Sequence, residues 1–128
     1  MAQDREDWVA VVRELLGGEQ QLAFRKLARL VTGFLVSWRA YDFRDEWDDA
    51  VQEVALATAR AVAQGRLGSS AQIVGYVRNA SRNRFVDWLR RRQVASLEAA
   101  ATTGIPLGSL KRHLREGLAV LAHRLGEA

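Results

Sequence analysis

Between Ile73 and Arg92 the chain sets six arginines against a single aspartate and still returns an apolar residue at every third or fourth position. On a helical projection at about 100° per residue, Ile73, Val77, Ala80, Ser81, Phe85 and Trp88 fall within one arc of roughly 140°. Asn79, Arg82, Asn83, Asp87 and Arg90 gather on the opposite side. The stretch therefore specifies one helix with a core face and a separate face of amides and guanidiniums, groups that suit base edges and phosphates. Arg84 and Arg91 project toward the apolar side, where their stems can lie along the core edge with the charged ends in water. A run of arginines also serves as a plain solvated face. Amides and a tryptophan interleaved with the arginines favour a ligand-facing role. Trp88 offers a stacking surface in principle, but its place on the apolar arc assigns it to the core.

The other segments also carry helical periodicity. A first helix is expected from Asp4 to Leu16, with Trp8, Val12, Leu15 and Leu16 on one side and Gly17-Gly18 as its stop. A second runs from about Glu19 to Tyr41 with the stripe Leu22, Leu27, Leu30, Val31, Phe34, Leu35 and Trp38. Gly33 inside it costs about 1 kcal/mol relative to Ala and marks a close helix contact. The third opens at Asp42 and reaches Gln64, burying Trp47, Val51, Val54, Thr58 and Ala61 while Asp49, Gln52, Glu53 and Arg60 face outward. Carboxylates in a first turn complement the helix dipole, which explains part of this acidity. Gly65 to Gln72 reads as a loop. Helix can continue from Arg92 through Gln93 and Ala95, with Ser96 as N-cap of a separate short helix over Leu97 to Thr102. Thr103-Gly104-Ile105-Pro106 makes a turn before a last helix, Leu107 to Leu125. Alternating strand patterns are nearly absent. The fold class is all-α, with residues 1–92 as a compact helical domain and residues 93–128 as a helix-turn-helix-like segment.

Net charge is only +4, but its distribution is polarised. Asp42 to Glu53 holds six acidic residues and one arginine, so two different partner surfaces are expected, one acidic and one basic. The absence of cysteine removes disulfides and thiolate metal sites and fits a reducing, cytoplasmic setting. The acidic N-terminus lacks an apolar signal region, and the longest apolar segment, Leu30 to Trp38, is too short to span a bilayer, so no membrane insertion is expected. No catalytic residues are identified: there is no phosphate-binding glycine loop followed by lysine, no dinucleotide fingerprint and no nucleophile elbow. His113 and His123 are ten apart and do not share a metal-facing side. Carboxylates from Asp45 to Glu53 could hold Mg²⁺ as in a nuclease, but a helix start explains them better. Neither metal nor cofactor is expected, and the chain reads as a non-enzyme.

Asp48-Asp49-Ala50-Val51-Gln52-Glu53-Val54, a Gly/Ser loop, Val77-Arg78-Asn79-Ala80-Ser81-Arg82-Asn83 and Asp87-Trp88-Leu89-Arg90-Arg91-Arg92 resemble region 2 of bacterial sigma factors of the extracytoplasmic-function type. The run from Ser96 to Leu114 resembles the helix-turn-helix of sigma region 4, in truncated form. The resemblance implies a cytoplasmic bacterial transcription initiation factor whose partners are core RNA polymerase and promoter DNA, with an anti-sigma factor or a second sigma-like chain as further candidates. It implies that Asp45, Asp48, Asp49, Gln52 and Glu53 dock on the polymerase clamp helices. Arg78, Asn79, Arg82, Asn83, Asp87, Arg90 and Arg91 would engage the −10 element, with Arg91 and Arg92 near phosphates. Arg66, Leu67, Gly68, Ser69 and Ser70 would form the loop that captures a flipped base, whose unstacking costs a few kcal/mol. Ser109, Lys111, Arg112 and Arg115 would meet −35 DNA.

The chain departs from that family after Arg92. Region 4 ordinarily has two more helices and a flexible linker ahead of its helix-turn-helix, and here Ser96 follows almost at once. Four residues span at most about 14 Å, whereas promoter elements more than one helical turn apart are over roughly 34 Å distant. Three arrangements satisfy this: terminal helices that pack back on the first domain, a second chain that supplies the missing half, or a shortened regulator. The alternatives in function are a helix-turn-helix DNA-binding regulator and a polymerase-binding decoy without initiation activity.

Overall fold

Local chemistry at the helix ends sets the frame. The computed structural model describes residues 6–18 and 20–103. Among them the order is α1 (Trp8–Gly17), α2 (Gln20–Ser37), a 3₁₀ turn (Tyr41–Glu46), α3 (Trp47–Ala63) and α4 (Ser70–Thr103), with no strand. Asp7 caps α1 by accepting from the Ala10 amide at 3.2 Å. α3 ends in a Schellman motif: the Arg66 amide donates to the Ala61 carbonyl and the Gly65 amide to Val62, each at 3.0 Å, with Gly65 at φ 75°. α2 ends in the same way, with the Ala40 amide donating to Leu35 and the Arg39 amide to Val36. Here an arginine occupies the left-handed position, with φ 56°. That conformation is strained for a side chain with a Cβ.

Each helix packs against the other three. The core gathers Trp8, Val11 and Val12 from α1, Leu27, Leu30, Val31 and Leu35 from α2, Val51, Val54 and Thr58 from α3, and Ile73, Val77, Phe85 and Trp88 from α4. At its centre is a column of rings. Trp38 stacks on Phe34 at 5.8 Å and on Phe85 at 6.0 Å with the latter planes 5° apart. Phe43 from the 3₁₀ turn then meets Phe85 edge-on at 6.2 Å and Trp88 at 5.7 Å. Ring pairs at these separations add about 0.5–1.5 kcal/mol beyond the area they bury. The arc projected for the basic stretch is thus the buried one, and Trp88 is a core residue.

The structure corrects several boundaries. Asp42 to Glu46 belong to the 3₁₀ turn, not to the third helix, because Phe43 leaves helical dihedrals (φ −112°, ψ 23°) as its ring turns inward. The basic helix begins at Ser70, inside the expected loop. The Ser69 hydroxyl accepts from the Gln72 amide at 3.2 Å while the Gln72 side chain accepts from the Gly68 amide at 2.8 Å, a reciprocal cap. Ser96 starts no new helix: α4 runs unbroken for 34 residues, and no Gly or Pro lies between Arg92 and Gly104 to stop it. Leu16 and Leu22 are exposed at the α1–α2 turn, where the apolar stripes outrun their neighbours. Gly33 is exposed and lines a shallow groove with Ala28, Arg29 and Val36.

Two contacts hold the N-terminal end. The Trp8 amide donates to the Ser70 hydroxyl at 3.0 Å, joining the starts of α1 and α4. Lys26 on α2 pairs with Glu6 at 2.8 Å, and that hydrogen bond is the main reason its ammonium is held above the ordinary lysine range.

Polar atoms inside this core make a prediction of opposite signs. The Ser81 hydroxyl and the Trp38 indole N–H are buried without a protein partner. Ser81→Ala, which removes the unpaired hydroxyl at nearly constant volume, is expected to raise stability by about 1 kcal/mol. Trp38→Ala empties the ring column and should lower it by about 3–5 kcal/mol. Urea denaturation followed by circular dichroism reads both, and a destabilised Ser81→Ala would overturn this account of the core.

Candidate functional site

The two charged stretches meet. Arg84 pairs with Glu53, Arg91 with Glu46 and Arg92 with Asp42, each at 2.8 Å. The packing of α3 and the 3₁₀ turn against α4 brings acid and base side by side. Arg84 follows the projected arrangement: its stem lies along the core edge with the guanidinium 6.0 Å from the Trp88 ring centroid, and its side chain is only 26% exposed. Arg91 does not; it is well exposed and reaches back to Glu46. Arg92 also sits over Phe43, at 5.9 Å.

These pairs redistribute the charge that the basic run carries in sequence. Arg78 is half-buried with its guanidinium 5.9 Å from the Trp38 ring centroid. Three further arginines are committed to carboxylates. What remains outward and without an ion pair among the described residues is Asn79, Arg82, Asn83, Asp87 and Arg90, the polar face of the projection. Two arginines and one aspartate give that face a local charge of +1, against +5 for the six arginines and one aspartate of the run. Of the seven residues expected to engage a −10 element, Arg78 and Arg91 are thus partly engaged within the protein.

The acidic stretch divides similarly. Asp42, Glu46 and Glu53 hold arginines of α4, while Asp45, Asp48, Asp49 and Gln52 are exposed without ion pairs among the described residues. A shallow depression between the two stretches is lined by Glu46, Asp49, Arg84, Asp87, Arg90 and Arg91. Its three carboxylates match its three guanidiniums, so it attracts neither anions nor cations strongly. Among the described residues no group of three or more acidic or imidazole side chains converges so as to hold a metal ion.

The hydroxyls of two of the five loop residues have structural duties. Ser69 caps α4, and Ser70, already on the helix, receives the α1 amide. Leu67 is half-buried against the core, which leaves Arg66 and Gly68 as the exposed members, tied to the helix ends through their backbone amides, Arg66 to Ala61 and Gly68 to the Gln72 side chain. The Arg66 side chain donates to the Gln64 side-chain oxygen at 3.0 Å. Ser109, Lys111, Arg112 and Arg115 lie outside the described residues.

Sequence reading missed Asp42 and Glu46 as partners of α4, as well as an aromatic cluster on the 3₁₀ turn. Tyr41 and Trp47 lie 6.0 Å apart, with the Arg44 guanidinium 5.5 Å from the first ring and 6.0 Å from the second. Their spacing at i, i+3 and i+6 is the one signal that could have grouped them.

Comparisons of the chain with protein-family models, with curated proteins and with solved structures find no match. No helix among the described residues is long and apolar enough to cross a membrane.

The Arg84–Glu53 contact gives a test of how the two helices are held. A half-exposed pair contributes at most about 1 kcal/mol, so Glu53→Gln should cost that or less. Arg84→Ala also strips aliphatic cover from Trp88 and should cost about 1–2 kcal/mol. A double-mutant cycle in thermal denaturation separates the terms; equal losses from both single variants would show that the stem contributes nothing.

Proposed function

We propose that the protein is a non-enzymatic, sigma-like transcription initiation factor that binds core RNA polymerase through α3 and engages melted −10 type promoter DNA through α4. One observation carries the reading. The outward row Asn79, Arg82, Asn83, Asp87 and Arg90 on α4 stands beside the outward row of Asp45 on the 3₁₀ turn and Asp48, Asp49 and Gln52 on α3, each exposed and available to a partner. Amides with guanidiniums suit base edges and backbone together. Carboxylates suit a basic protein surface and repel phosphates, so the rows sort two partners by charge. This setting is the bacterial cytoplasm, with an anti-sigma factor or a second sigma-like chain as further partners.

The continuity of α4 bears on a second reading. At about 1.5 Å per residue its 34 residues make a rod of roughly 51 Å. No flexible linker follows Arg92, so the usual separation of two promoter-reading modules has no counterpart at that point. Together with the engagement of three arginines by carboxylates, this favours, as the alternative, a decoy that occupies polymerase without initiating.

Reconstitution with core polymerase and a library of promoter fragments tests the proposal. Asp49→Ala with Gln52→Ala should weaken polymerase binding by about tenfold or more. Arg82→Ala with Arg90→Ala should spare that binding and remove about 1–3 kcal/mol per arginine from DNA engagement. Polymerase binding by the wild type with no promoter-dependent transcript would select the decoy, and absence of both sinks the proposal.

A further inference from the structure

We propose that Tyr41, Arg44 and Trp47 form the anchor by which the acidic side of α3 grips a basic protein surface; this rests on the reading of α3 as the polymerase-docking helix. Tyr41 is 46% exposed, although a tyrosine of the 3₁₀ turn could have followed Phe43 into the core. It stacks at a tilt on Trp47, and Arg44 covers both rings. Tyrosine, tryptophan and arginine are the residue types that dominate binding energy at protein interfaces.

The cluster is also fixed before any partner arrives. The Trp47 indole N–H donates to the Ala40 carbonyl at 3.1 Å, which holds the ring beneath Arg44. Ala40 itself is tied into the end of α2 by its own amide. An anchor ordered in advance loses less conformational entropy on binding.

Charge decides the class of occupant. The salt bridges to α4 remove Asp42, Glu46 and Glu53 from the account. Asp45, Asp48 and Asp49 remain, and with Arg44 they leave a local charge of −2. That surround repels nucleic acid, so the exposed rings are not a base-stacking platform. A second apolar contact is available along the acidic row of α3: Leu56, one turn beyond Gln52, is 52% exposed. Aromatic and aliphatic contacts at the two ends of an acidic strip fit a protein surface that presents apolar pockets flanked by lysine or arginine.

The full chain, titrated with core RNA polymerase, tests this. Tyr41→Ala should weaken binding by about tenfold or more, Tyr41→Phe should retain it, and Leu22→Ala, which removes an exposed apolar side chain from α2, should stay within about twofold. Circular dichroism confirms that each variant is folded. If the wild type binds and Tyr41→Ala binds equally well, the anchor is wrong and the docking role of α3 stands. A wild type that does not bind polymerase removes both. Loss of DNA engagement by Tyr41→Ala with polymerase binding intact would assign the rings to nucleic acid and overturn the proposal.

Discussion

The stacking of Trp38 on Phe85 is the contact on which the other features depend. It joins the end of α2 to the middle of α4 with ring planes nearly parallel, and so fixes the rotation of α4 about its own axis. With the arc of Ile73, Val77, Phe85 and Trp88 inward, Asn79, Arg82, Asn83 and Arg90 point outward, because a helix turns about 100° per residue. Phe43 closes the column from the other side, packing on Phe85 and Trp88 together. To do so the 3₁₀ turn has to kink at Phe43, and that kink carries Asp42 and Glu46 within reach of Arg92 and Arg91. One aromatic packing decision thus sets both the exposed polar face and the set of arginines that are held back from it.

The ion pairs between acid and base follow from this geometry and do not create it. Two of the three are exposed on both partners, and exposed pairs contribute little to stability. Their importance is electrostatic. They neutralise much of the charge of the basic run before any ligand arrives, and reduce the outward face from a dense cationic strip to two guanidiniums and an aspartate among amides. Such a face relies on hydrogen-bond geometry more than on bulk attraction to phosphate, in contrast to proteins that bind nucleic acid through charge alone.

Much of the fold was legible because helical periodicity is a local property. The apolar arc of Ile73, Val77, Phe85 and Trp88 and, on α2, Leu27, Leu30, Val31 and Leu35 are buried as their spacing required. Leu16 and Leu22 were misread because periodicity does not tell where a neighbouring helix ends. The kink at Phe43 and the unbroken run through Ser96 were misread for a related reason: acidic residues and a serine look like helix starts, and only packing determines whether one is needed. The reciprocal cap of Ser69 and Gln72 had a readable pattern, S-x-x-Q, and a loop rich in Gly and Ser concealed it.

By itself the sequence determined that the chain is all-helical, that α4 has an apolar and a polar side, and that acidic and basic residues occupy separate stretches. Those properties depend on residue type and spacing along one segment. Only the tertiary structure decided that the two charged stretches lie against each other, which arginines stay unpaired, and that Tyr41, Arg44 and Trp47 gather at the surface. Each of those depends on how α2, α3 and α4 are rotated and offset in space, and the aromatic column of Phe34, Trp38, Phe85, Phe43 and Trp88 sets that arrangement through contacts between residues up to 47 positions apart, from Trp38 to Phe85.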